Sequence, residues 1–126
     1  MKKILVVDDD NNIIKMYLII LKNSGYEPLY AINGKQGLEM ALQNHPDLIF
    51  LDLAMPVMDG MTVLKKLRED TWGKNVPVII LTNYDTDVKL ISEIQKTKPS
   101  YYLLKTNITP NEIINKIEEL LKIENK

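Results

Sequence analysis

The 126-residue chain has no cysteine, one arginine (Arg68), one histidine (His45), one tryptophan and one phenylalanine. Lacking cysteine, it can form no disulfide and do no thiol chemistry, although that does not fix its compartment. Neither sign of charge is in excess: 16 basic against 17 acidic residues give a net charge of −1. There is thus no global attraction to nucleic acid or to an anionic membrane. Fifteen of the 16 basic residues are lysines, which suit solubility better than bidentate recognition of phosphates or bases. Direct nucleic-acid binding is therefore not expected. Long apolar runs are absent too. Met1-Lys2-Lys3 is followed by only four apolar residues before three aspartates. That is too short for a secretory core, and nothing approaches the ~20 residues of a membrane span. A cytoplasmic location without membrane attachment is expected. Glycine is sparse, and Gly34 and Gly37 fit neither the dinucleotide nor the Walker phosphate-loop pattern. A chain of this length makes one domain of ordinary size and buries roughly two-thirds of its unfolded surface.

What the chain does contain is four apolar runs, each ending on a chemically active residue. Ile4–Val7 leads into Asp8, Asp9 and Asp10; Leu48–Leu51 into Asp52; Val78–Leu81 into Thr82; Tyr102–Leu104 into Lys105. Strands are predicted at Lys3–Val7, Pro28–Ala31, Leu48–Leu51, Val78–Leu81 and Tyr101–Leu104. Segments with apolar residues at spacings of three and four separate them. Ile13, Tyr17, Ile20 and Leu21 mark the first predicted helix, and Leu38, Ala41 and Leu42 the second. Met61, Leu64 and Leu67 mark the third; Val88, Ile91 and Ile94 the fourth; Ile113, Ile117, Leu120 and Leu121 the last. Continuously apolar strands imply a parallel sheet covered by helices on both faces. Asp10 or Asn11 is expected to cap the first helix. Thr109-Pro110-Asn111-Glu112 reads as a capping box with proline at the first helical position. Five βα units give a three-layer α/β sandwich. The tail from Glu124 to Lys126 is polar and expected to fray.

In an open parallel sheet the carboxyl ends of the strands line one crevice, where ligands bind. Two carboxylates ~4 Å apart repel by about 4 kcal/mol at an effective dielectric near 20. Asp8, Asp9 and Asp52 together therefore call for a cation or for raised pKa values. Mg²⁺ suits such a set, since it prefers carboxylate oxygens and admits phosphate oxygens to its shell. Asp10 reads instead as a helix cap.

Ile4-Leu5-Val6-Val7-Asp8-Asp9 and Asp47-Leu48-Ile49-Phe50-Leu51-Asp52 closely resemble the receiver domain of two-component response regulators. Met55-Pro56-Val57-Met58-Asp59-Gly60, Ile80-Leu81-Thr82 and Tyr102-Leu103-Leu104-Lys105 complete the resemblance, which covers essentially the whole chain in order. It implies a flavodoxin-like (βα)5 fold with strand order 2-1-3-4-5, a receiver over residues 1–123 and a tail at 124–126. It also implies that Asp52 accepts a phosphoryl group from a sensor histidine kinase or phosphotransfer protein. Mg²⁺ would be ligated by Asp9, Asp52 and the Ala54 carbonyl, with Asp8 acting through water. Lys105 would pair with the phosphoryl oxygens, and the Thr82 hydroxyl would bond one of them. Thr82 and Tyr102 would form the switch that exposes a new surface on the fourth helix, last strand and last helix. The receiver would catalyse its own phosphorylation and dephosphorylation without turning over an external substrate. It would act on a downstream protein target or an output domain, and a phosphorylation-dependent dimer is compatible with that role. Because the chain ends just after its last helix, no output domain is expected within it, whether it stands alone or belongs to a longer protein.

Some positions depart from the pattern. Thr106 follows Lys105 where the family has a cis proline, and a non-proline cis bond costs ~2.5–4 kcal/mol, so a trans bond is expected there. Asn83 replaces a small residue beside Thr82. Ala54 and Tyr84 hold the two variable positions that influence hydrolysis, and neither can position water as an acid or amide would, so a long-lived aspartyl phosphate is expected. Lys98-Pro99 replaces a small Gly-Ala pair. Thr106 and Asn83 favour the alternative of a pseudo-receiver, a phosphorylation-independent binding module; the full set Asp8, Asp9, Asp52, Thr82 and Lys105 opposes it. An aspartyl-phosphate phosphatase of the haloacid-dehalogenase type would want an acid at Ala54. A flavodoxin-like FMN carrier would want a Ser/Thr-rich loop where this chain has three aspartates. His45 reads as a solvated loop residue, Trp72 as surface packing, and Lys65, Lys66 and Arg68 as a solvated helix face. Met55, Met58 and Met61 read as packing beside Asp52 rather than as a soft binding surface.

Overall fold

The computed structural model describes residues 1–82, 101–104 and 108–122. Five strands appear: β1 (Lys3–Val7), β2 (Glu27–Ala31), β3 (Leu48–Asp52), β4 (Val78–Thr82) and β5 (Tyr101–Leu104). They form one sheet in the order β2-β1-β3-β4-β5, and each neighbouring pair is parallel. This is the expected flavodoxin-like order. The helices are α1 (Asn11–Asn23), α2 (Gly34–Asn44), α3 (Gly60–Glu69) and a C-terminal helix, Pro110–Lys122. The fourth helix expected around Val88, Ile91 and Ile94 lies outside the described residues, as do Lys98-Pro99 and the tail.

Side-chain alternation along the strands separates two cores. On one face, Leu5, Val7, Ile49, Leu51, Val78 and Ile80 pack against Ala41 of α2 and Val63, Leu64 and Leu67 of α3. On the other, Ile4, Val6, Leu48, Phe50, Ile79 and Leu81 pack against Ile14, Tyr17 and Leu21 of α1 and Ile113, Ile117 and Leu121 of the C-terminal helix. The stripes differ slightly from those read in the sequence. Ile14 rather than Ile13 is fully buried on α1, and Leu42 of α2 is exposed. On α2 the contact is made by Gly37, where a Cβ would overlap the Val7 side chain, so the helix lies closer to the sheet than leucines would allow.

The caps follow the sequence reading. The Asp10 side chain accepts from the Asn12 N–H at 2.9 Å, and the Thr109 hydroxyl accepts from the Glu112 N–H at 3.2 Å. Three strands run one residue beyond the prediction, because pairing with a neighbour continues past the apolar stretch. Glu27 pairs with Lys3, Asp52 with Leu81, and Thr82 with Leu104. Asp52 and Thr82 thus belong to the rigid sheet rather than to the loops after it.

Candidate active site

Strand parity dictates where the acids go. Ile4 and Val6 face the α1 side, so Asp8 continues that face, and Leu48 and Phe50 do the same for Asp52. The Asp8 N–H still donates to the Ala31 carbonyl at 3.1 Å, extending the ladder by one residue. Asp8 and Asp52 are buried, at 0% and 3% exposure, whereas Asp9 is exposed. One carboxylate oxygen from each of the three lies within 4.8 Å of the others. Asp8 is further oriented by the Asp10 N–H, which donates to its Oδ1 at 2.9 Å. Asp10 stays out of the cluster and caps α1, as read from the sequence.

Beside the acids opens a cleft of about 500 Å³ lined by Asp9, Leu53, Ala54, Met55, Pro56, Asp59 and Met61. Its wall is the loop between β3 and α3, held from both ends. The Gly60 N–H donates to the Leu53 carbonyl at 2.9 Å, and a Cβ on Gly60 would overlap the Asp52 carbonyl. The Asp59 side chain caps α3 through the Thr62 N–H at 2.9 Å. Met55, Met58 and Met61 are partly buried against the core, the packing role read for them.

At the apex of the loop Val57 has φ 71° and is 76% exposed, with the Met58 N–H donating to the Pro56 carbonyl at 2.8 Å. This is a γ-turn in the left-handed region, unusual for a β-branched residue.

Beneath the acids sits Tyr17, 1% exposed and T-shaped on Phe50 with ring centroids 5.0 Å apart. Burial, then the Asp8 charge, pushes its phenol well above the ordinary range. As sequence, Tyr17 was one apolar-stripe residue among several; only the sheet register puts it under Asp8 and Asp52.

Of the other expected site residues, Thr82 closes β4 opposite Leu104, and Tyr102 pairs with Ile80. Lys105, Asn83, Tyr84 and Thr106 lie outside the described residues. A second feature occupies the opposite edge of the sheet. His45, exposed as a loop residue and in the left-handed region at φ 46°, stacks on the partly buried Trp72 with centroids 4.4 Å apart, which keeps the solvated-loop and surface-packing readings. Arg68 departs from the solvated-face reading. Its guanidinium donates to the Gly73 and Val76 carbonyls at 2.7 and 2.9 Å, tying down the loop before β4, and burial lowers its pKa.

The donor set suits a hard divalent ion: three carboxylates, two of them buried, converge with no nitrogen or sulfur ligand among the described residues. The family profile of the response regulator receiver domain matches residues 4–118. The alkaline phosphatase synthesis transcriptional regulatory protein PhoP of Bacillus subtilis is 31% identical over 96% of this chain and 49% of its own length. The chain spans about half or less of the first curated relatives it matches. Among solved structures, the Francisella response regulator 1452 receiver domain superposes with a TM-score of 0.86 at 32% identity, covering 98% of this chain and 99% of its own. The receiver domain of the Pseudomonas aeruginosa sensor histidine kinase PA1611 shares the fold at 24% identity, with a TM-score of 0.85 over 94% of this chain and 95% of its own. That structure holds a magnesium ion coordinated in its active-site cleft.

Proposed function

The chain belongs to the response regulator receiver domain family, and from that premise we propose that it accepts a phosphoryl group on Asp52 in a magnesium-dependent reaction. The observation that carries the reading is the convergence of Asp8, Asp9 and Asp52 within 4.8 Å at the ends of adjacent strands. Opposite ligands of a magnesium octahedron stand only about 4.2 Å apart. Carboxylate oxygens within 4.8 Å of one another can share one such shell, with Asp9, Asp52 and the Ala54 carbonyl binding directly and Asp8 through water. Bound magnesium would offset negative charge on the carboxylates and the incoming phosphoryl oxygens.

The Asp52 carboxylate oxygen attacks phosphorus in line, a P–O bond forms, and the P–N bond of a phosphohistidine donor breaks. The electron pair leaves with the imidazole, which is then protonated. Such a transition state is loose, so positioning and charge neutralisation supply most of the catalysis. A carboxylate fixed as the last residue of a central strand supplies that positioning. Lys105 neutralises the phosphoryl oxygens, and the Thr82 hydroxyl bonds one of them. Thr82 and Tyr102 then bias a two-state equilibrium that exposes a surface for a downstream protein or an output domain.

The donor is a histidine kinase or phosphotransfer protein. No helix among the described residues is long and apolar enough to cross a membrane, and a cytoplasmic site of action fits that. Neither the described structure nor the comparisons add anything for the phosphorylation-independent alternative beyond Thr106 and Asn83. Ala54, exposed on the cleft wall, offers no polar side chain to place a hydrolytic water, so the aspartyl phosphate is long-lived. Intact-mass analysis after acetyl phosphate tests the reading. One phosphoryl mass should appear with magnesium, fade without it, and vanish in Asp52→Ala; persistence in the variant would refute the assignment.

A further inference from the structure

Tyr17 carries a polar atom where the core has no use for one. Its hydroxyl is buried with no hydrogen-bond partner among the described residues, and the residue is 1% exposed. A buried donor without a partner is destabilising, and phenylalanine would fill the same volume at no such cost. Three features orient the hydroxyl toward the acid site. The ring lies on Phe50, two residues before Asp52 on the same strand face, and Phe50 is level with Val6, two residues before Asp8. Helix α1 starts at the acid edge, where Asp10 caps it. Side chains on a helix lean toward its N-terminus, so the long phenol of Tyr17 leans toward that edge. Asp8 is also the charged group that acts on the phenol.

We propose that Tyr17 is a positioning residue of the acid site, its hydroxyl donating across a buried water to the Asp8 carboxylate and holding it correctly turned. Buried polar groups that make no direct hydrogen bond to each other are commonly joined by such a water. The inference rests on the magnesium-binding reading above and adds a residue to it. Partners that orient metal ligands are worth about 10- to 100-fold in affinity.

The test is Tyr17→Phe, with magnesium titration followed by amide NMR shifts and metal-free thermal melts on wild type and variant. The expected result is a magnesium Kd raised about tenfold or more, with a metal-free Tm no lower than wild type. A Kd within twofold of wild type overturns the proposal. Leu21→Val, which loosens packing on the same helix face without touching a polar atom, serves as control. It should lower Tm and leave the Kd unchanged. If it weakens magnesium as Tyr17→Phe does, packing rather than the hydroxyl is responsible and the proposal falls. A wild-type protein that fails to bind magnesium overturns the parent reading and this one with it.

Discussion

Asp9 is exposed while Asp8 and Asp52 are buried, so the three carboxylates are not interchangeable. Repulsion involving Asp9 is screened toward the value in water, about 1 kcal/mol at ~4 Å. Asp9→Asn should therefore raise the metal-free Tm by about 3–5 °C and abolish the rise that magnesium gives wild type. Calorimetry in EDTA and in magnesium checks both; a variant that melts lower in EDTA contradicts the repulsion argument. Tyr17 makes a prediction at alkaline pH, because burial raises its folded pKa. Below about pH 10, the ordinary phenol value, both folded and unfolded states hold the proton, so its contribution is fully present. Above that, the unfolded chain releases the proton and the folded one keeps it, so stability falls as pH rises, by up to about 1.4 kcal/mol per unit. Denaturation between pH 10 and 11 should show a shallower loss in Tyr17→Phe. The acids were legible in the sequence because each terminates an apolar run, and Asp10 because it precedes a helical stripe. Tyr17 was not, since a tyrosine on such a stripe looks like any other core residue until the register shows what lies above it.

The β3–α3 loop makes opposite demands on side chains at its apex and at its α3 end. Val57 sits at φ 71° with its side chain 76% exposed, so it endures a left-handed conformation with little packing in return. Val57→Gly should raise stability by about 1 kcal/mol, read as a higher denaturation midpoint; a lower midpoint would show that the valine packs usefully. Gly60 is the reverse case, since any side chain there meets the Asp52 carbonyl and the Leu53 backbone. Gly60→Ala should cost about 1–3 kcal/mol. By shifting the backbone of Asp52 it should also slow labelling by acetyl phosphate. The elements themselves were readable from period and caps, and the strand order from the resemblance. Loop conformations were less so. Nothing in composition announces a valine in a γ-turn, a histidine stacked on a tryptophan across two loops, or an arginine spent on the Gly73 and Val76 carbonyls rather than on solvent.

Across the whole molecule, the alternation that splits the core also delivers the chemistry. One face of β1 and β3, packed by α1 and the C-terminal helix, ends in Asp8 and Asp52. The cleft lined by Ala54 opens beside them. The His45–Trp72 stack and the Arg68 tether lie at the opposite edge of the sheet, where they stabilise connections without touching the acids. A rigid sheet thus fixes the nucleophile while loops shape access to it, the division of labour usual for sites at strand ends. The most direct measurement is chemical. The protein is phosphorylated in magnesium, reduced with borohydride, which converts an acyl phosphate to an alcohol, and sequenced by tandem mass spectrometry. Homoserine at position 52 is the expected result; reduction at another carboxylate, or an intact phosphate on a hydroxyl side chain, would contradict the account.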